Sequence, residues 1–186
     1  SGKNIVTNNI GKSAVALTYG GTYEFTHCTF ANYWNRAGHT ALTMDNYDGS
    51  SEFALNAEFK NSIVHSAATE SIRMYASDNQ QNFNFNFDHC LIKFFDVTQT
   101  VYNKYPYFFE DNSKFNNCLI SRSNNQFAPN FSNISKNKLM ITQLATSIIG
   151  FGSQANATSA PQDLLGVSRV SSPDLGAYQH ITITNE

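Results

Sequence analysis

Residues 25–30 read FTHCTF, 59–64 FKNSIV, 87–92 FDHCLI and 115–120 FNNCLI. Set in register, the four share one pattern: Phe, any residue, His or Asn, Cys or Ser, any residue, then an apolar residue. Their phenylalanines, Phe25, Phe59, Phe87 and Phe115, are separated by 34, 28 and 28 residues, and half of a degenerate fifth copy is read in VTNNI at 6–10. A period of this length built on short β-type segments is the mark of a solenoid in which each repeat forms one coil. Within a coil the phenylalanines point inward and stack on one another. The His or Asn that follows sits where the backbone turns a corner, because Asn tolerates the left-handed conformation that corners need. A second strand set is read in AVALTY (14–19), TALTM (40–44), SIRMY (71–75) and, less regularly, LMITQ (139–143). The Gly, Asn, Ser and Asp stretches between, such as NYDGSSE (46–52) and ASDNQQN (76–82), read as loops projecting from the coils.

Composition points the same way. The 186 residues suffice for one domain with a substantial core. Charged residues make up 14% of the chain and aromatics 13%, and there are 23 asparagines. That is a strand-and-turn composition, with too many aromatic and β-branched residues for disorder. A net charge of −2, without a cluster of Lys and Arg among aromatics, leaves no electrostatic footprint for nucleic acid. The most apolar window, LMITQLATSIIGFG at 139–152, is broken by Thr, Gln and Ser. It falls short of the roughly 20 apolar residues of a spanning helix, so no membrane span is expected.

The chain closes with DLLGVSR at 163–169 and SPDLGAYQ at 172–179. Together with the Phe-x-Asn-Cys-x-Ile segments, this tail resembles the right-handed parallel β-helix (pectate-lyase-like) repeat family, above all the secreted or surface β-helix proteins of Bacteroides-like bacteria. Those chains end in Asp-Leu-x-Gly-x-x-Arg and Pro-Asp-Ile-Gly-Ala-Tyr-Glu; here Gln179 replaces the final acid. The resemblance implies an all-β fold, a single-stranded right-handed parallel β-helix of about five or six coils. Its coils occupy residues 1–126, and 127–186 form the last coil and a C-terminal capping tail of the same domain, packed along or over that coil. It also implies a bacterial secreted or cell-surface location. The chain opens in mid-coil, so Ser1 is read as a cut inside a larger protein.

His beside Cys at 27–28 and 89–90 invites thiol or metal chemistry. However, Cys28, Cys90 and Cys118 share a repeat position with Ser62, so they stack along the axis and do not converge. The CxxC and HxxxH spacings of zinc sites are missing, and no metal site is assigned. The cysteines are read as packing, and His27 and His89 as hydrogen-bonding corner residues. Asp45, Asp48 and Glu52 lie in one loop with His39 just before it. Such acids can hold Ca²⁺, supply the acid and base of a glycosidase, or simply shape a turn. Arg73, on a strand expected beside Met44, should face the same lateral surface as Asp45, either paired across coils or gripping an acidic sugar. Asp45, Asp48 and Arg73 are therefore the catalytic candidates, and Ca²⁺ is the one cofactor left open.

For polymer-cleaving relatives the resemblance implies paired Asp residues on adjacent coils with Gly-His-Gly and Arg-x-Lys segments, and none of these occurs. Nor does GxSxG or a phosphate-binding Gly loop. ANYWNRAG (31–38) and VYNKYPYFFE (101–110) bring Tyr33, Trp34, Tyr102, Tyr105 and Tyr107 into loops or coil exits. There their rings can act as platforms for sugars or as covers over a short solenoid. The expected function is a non-catalytic secreted or cell-surface module, carbohydrate-binding or structural, with a polysaccharide or glycan as partner. The alternative is a polysaccharide lyase or glycoside hydrolase acting in a lateral groove.

Overall fold

The computed structural model describes residues 1–77, 80–95, 112–123 and 126–183. The described chain is nearly all β, with one short helix, α1 (Gln154–Ala157). The first sheet contains β1 (Gly2–Lys3), β4 (Gly21–Thr26), β7 (Leu55–Lys60), β10 (Phe83–Asp88) and β12 (Phe115–Asn116), side by side in that order. A second five-stranded sheet holds β2 (Val6–Thr7), β5 (Thr29–Asn32), β8 (Ile63–Ser66), β11 (Leu91–Lys93) and β13 (Leu119–Ser121). The third sheet has β3 (Ser13–Leu17), β6 (Thr40–Asp45) and β9 (Ile72–Tyr75). Every pairing in the three sheets is parallel, and each successive repeat adds its strands to the next position in the same sheets.

Period-2 alternation accounts for the first sheet. In LNAEFK and FNFNFD every second side chain (Leu55, Ala57 and Phe59; Phe83, Phe85 and Phe87) is buried, and the Asn and Glu between them face outward. Phe25, Phe59, Phe87 and Phe115 align in register. Their rings stack with centroids 5.5, 4.4 and 5.6 Å apart and near-parallel planes. They form the spine of the main core, with Phe30, Leu42, Met44, Val64, Met74 and Ile92 from the other sheets.

Between the first and second sheets the chain turns a corner on two residues. Asn4, His27, Asn61, His89 and Asn117 all hold left-handed φ values, 55°, 53°, 48°, 50° and 48°. This conformation costs most L-residues about 1–2 kcal/mol and is most accessible to Asn, Asp and His. At every corner but the first, where Ile5 follows Asn4, the next residue caps a carbonyl two positions back: Ser62 Oγ donates to Lys60 O at 2.8 Å, and the Cys28, Cys90 and Cys118 thiols lie 3.4–3.5 Å from the carbonyls of Thr26, Asp88 and Asn116. A small side chain carrying a donor suits this place, whether Cys or Ser.

Two expectations are corrected. The first copy of the repeat is GKNIVT at 2–7, not VTNNI: Gly2 pairs with Phe25 and Val6 with Thr29. Glycine replaces Phe there because a Cβ on Gly2 would come within 2.5 Å of the Ile5 side chain and 2.9 Å of the Phe25 ring. LMITQ does not join the third sheet. Its first three residues, Leu139–Ile141, belong to β15 (Lys138–Ile141), antiparallel to β14 (Phe131–Asn133). The C-terminal region lies along the side of several repeats.

That placement follows from the second sheet, whose strand TFAN is buried at every position. Buried on both faces, such strands carry apolar residues in succession. Val64 and Ile92 point into the main core, while Ile63, Leu91 and Leu119 meet Ile141, Ala145, Ile148 and Leu175 of the C-terminal region in a second core. The DLLGVSR and PDLGAYQ segments hold this cover in place. Asp163 accepts from the amides of Leu165, Val167 and Gln179. Asp174 accepts from the amides of Gly150 and His180 and from the His180 ring. Arg169, fully buried, donates to Asn4 Oδ1 at 2.9 Å and to the carbonyls of Ala160, Gln162 and Gly176.

Candidate functional site

The link between β5 and β6 builds an open hollow near several of the sequence candidates. Asn32, fully buried, ties the base of this link: its Nδ2 donates to the carbonyls of Ile10 and Thr40 at 2.8 and 2.9 Å, and its Oδ1 accepts from the amide of Ile10. From that base the chain runs through Trp34, Arg36 and Gly38, where φ is 83°, to His39. The Arg36 guanidinium stands 5.8 Å over the Trp34 ring. Across from it, Arg73 of β9 donates from Nη1 to the Gly38 carbonyl at 3.1 Å. Trp34, Arg36, His39 and Arg73, with Ala67 and Ala68, line an open hollow of about 380 Å³ whose walls carry no carboxylate. His39 is almost fully buried; its Nδ1 donates to the Arg36 carbonyl at 2.6 Å, and its Nε2 is buried without a hydrogen-bond partner among the described residues.

The acidic candidates do not enter this hollow. Asp45 Oδ1 accepts from the amide of Tyr19 at 2.7 Å. Asp48, fully exposed, accepts from the amides of Ser50 and Ser51 and the Ser50 hydroxyl, and those bonds hold its carboxyl below the usual range. This is the turn-shaping arrangement of an Asp in a Gly-containing loop. Arg73 pairs in register with Thr43, and Met74 with Met44, so the strand of Arg73 lies beside that of Met44 as expected. Asp45 and Arg73 do share a face, two positions apart on adjacent strands, yet each is held by a different backbone group. Among the described residues no three His, Cys, Asp or Glu side chains gather as a metal site would require.

Of the aromatic candidates, Trp34 lines the hollow. Tyr33 is engaged elsewhere: its ring lies on His65 at 5.8 Å, its hydroxyl meets His65 Nδ1 at 2.7 Å, and Phe131 of the C-terminal hairpin packs edge-on at 6.0 Å. Burial pushes its phenol above the ordinary range and pulls His65 down to about 3. Tyr102, Tyr105 and Tyr107 lie outside the described residues.

The His-Cys pairs take part in the packing. Burial, then the nearby Arg169 guanidinium, lowers His27 to about 3, and burial raises the Cys28 thiol to about 11. Burial likewise raises Cys90. Thiols in that state supply neither a nucleophile nor a metal ligand near neutral pH.

Sequence reasoning missed two features. Arg36 lies two residues beyond Trp34, and a cation close to an exposed aromatic was the signal. On the outer face of the first sheet, Glu24 and Glu58 pair in register and Lys60 bridges them, 2.8 Å from each. Aligning GTYEFT with LNAEFK places both acids at one repeat position. These are two carboxylates on adjacent strands, the arrangement a glycosidase uses, but about half of each side chain is exposed, and Glu24 is shifted down by its bond to Lys60. A glycosidase acid must instead be raised so that it carries a proton to donate. Compared with family models, curated proteins and solved structures, the chain matches none.

Proposed function

We propose that this chain is a non-catalytic carbohydrate-binding module of a secreted or cell-surface protein, built as a right-handed parallel β-helix. The handed, closed solenoid is supported by the strand order, which advances by one repeat in each of three parallel sheets, and by the general right-handedness of parallel crossovers. The secreted location rests on the resemblance of the tail. One observation carries the binding reading: Trp34, two arginines and a histidine share an open hollow of about 380 Å³ from which the candidate acids Asp45 and Asp48 are missing. Its size is that of a small-ligand site. A lyase or hydrolase needs an acid and a base, or a base and a metal, converging on one bond, whereas Asp45 and Asp48 are held by backbone amides and Glu24 and Glu58 by an exposed ion pair.

Trp34 is the only tryptophan of the chain, so its emission reports on the hollow directly. A glycan array followed by titration of each hit should give a change in Trp34 emission and, on prolonged incubation, no shortened product. Trp34→Ala should weaken binding about tenfold or more, the effect expected for loss of a stacked aromatic contact. Product formation would turn the reading to the enzyme, and an array without hits would end the glycan reading.

A further inference from the structure

We infer that the hollow between Trp34 and Arg73 selects saccharides bearing an anionic group, a carboxylate or a sulfate ester, through direct guanidinium contact. This rests on the binding reading above and names the class of sugar within it. The argument begins with charge. The chain carries a net charge of −2, yet two guanidinium groups line this one hollow and no carboxylate shares its walls. Among the described residues neither Arg36 nor Arg73 lies within ion-pair distance of a carboxylate. Two uncompensated cations on the walls of one hollow repel each other and gain from an anion placed within it.

Both side chains are also held in place. Trp34 supports the Arg36 guanidinium from one side at 5.8 Å, and the Gly38 carbonyl takes one N–H of Arg73 at 3.1 Å. A guanidinium presents five donors in a planar fork, so Arg73 keeps several for a ligand after this bond. Such forks fit the paired oxygens of a carboxylate or sulfate, and a held side chain loses less freedom on binding. Trp34 thus takes a different part from a bare stacking platform, because one face of its ring already carries Arg36. A saccharide fits better than a small inorganic anion because the hollow is far larger than one ion.

The experiment compares four probes of matched concentration by Trp34 emission and calorimetry: a neutral hexose oligomer, a uronate oligomer of equal length, its sulfated counterpart and inorganic sulfate. Acidic oligomers should bind, more weakly as salt rises from about 20 to about 200 mM because screening shortens the reach of the guanidinium charges. The neutral oligomer and inorganic sulfate should bind at least about tenfold more weakly. The Arg36→Ala/Arg73→Ala variant should lose the preference for acidic over neutral sugars while keeping the wild-type unfolding midpoint, and Arg36→Lys/Arg73→Lys should regain part of it. Which acidic oligomer binds tighter tells carboxylate from sulfate. Equal binding of neutral and acidic oligomers, an undiminished preference in the double Ala variant, or inorganic sulfate matching the sulfated sugar overturns the inference and leaves the carbohydrate reading standing. No binding by any oligomer overturns both.

Discussion

Phe59 has no exposed surface, and its ring lies between those of Phe25 and Phe87 with Phe30 edge-on at 6.3 Å. Phe59→Ala should cost about 3–5 kcal/mol, read as a lower urea midpoint at unchanged slope, since three close neighbours leave little room for collapse into the gap. His27 predicts a pH dependence. In the neutral ring Nδ1 donates to the Gly176 carbonyl at 3.2 Å and Nε2 accepts from Asn61 Nδ2 at 3.0 Å, so an added proton would set two donors face to face. The group titrates near 6.5 when unfolded and at about 3 in the fold. Above pH 6.5 it is neutral in both states and contributes no slope. Between about 6.5 and 3 only the unfolded chain takes up the proton, so stability falls as the pH is lowered through that window. His27→Asn, the residue found at the equivalent positions 61 and 117, should keep the left-handed corner and flatten this acid limb. A remaining slope should come from His65, which is lowered in the same direction. Thermal midpoints measured from pH 7 to pH 4 in the two proteins test it; parallel curves would refute the assignment to His27.

Among the elements, the C-terminal region depends most on one side chain. Arg169→Met removes the donor that serves Asn4, Ala160, Gln162 and Gly176, of which the bonds to Ala160 and Gly176 are buried. Hydrogen bonds from a charged donor contribute about 1.5–3 kcal/mol each. The variant should show early proteolytic cuts between residues 153 and 180 while the parallel sheets stay folded. Cuts no faster than in the wild type would show that the apolar contacts of Leu175 and Ile148 hold the region without it.

The strands of the repeats were legible because each rests on a local signal: Phe every second place, then Asn or His where a left-handed corner falls. GKNIVT escaped because Gly2 replaces the Phe that marks the other copies. LMITQ misled because a short apolar alternation looks the same in a parallel edge and in an antiparallel hairpin; only long-range pairing tells them apart. Ile63, Leu91 and Leu119 read as variable positions, yet an apolar residue at the outward place of three successive repeats already implied that something covers that face. The candidate site was legible in part: Trp34 and Arg73 stand out by residue type, but the hollow joins residues about 35 positions apart, and no local pattern carries that distance.

At the scale of the molecule, a stack of in-register repeats has no natural length, since another set of strands can always be added. The C-terminal region supplies one. Ser159 holds Lys3 through its carbonyl and Gln162 holds Asn4, Ser153 exchanges two bonds of 2.8 Å with Asn61, and Asn156 reaches Asp88 at 2.6 Å. It therefore touches the corners of three different repeats at fixed intervals of its own sequence, as a ruler touches marks set about 4.8 Å apart per strand. Excising residues 27–60 joins Thr26 to Asn61 and restores the repeat pattern, so the remaining strands should still pair. The marks beyond the splice move by one strand spacing, however, more than a hydrogen bond can stretch, and the shortened protein should be cut between residues 153 and 180 as readily as Arg169→Met. Resistance equal to the full chain would mean that the ruler slides. If it does not, evolution can lengthen or shorten this array only by rewriting its tail in the same step, and a protein built from interchangeable units becomes one whose number of units is fixed.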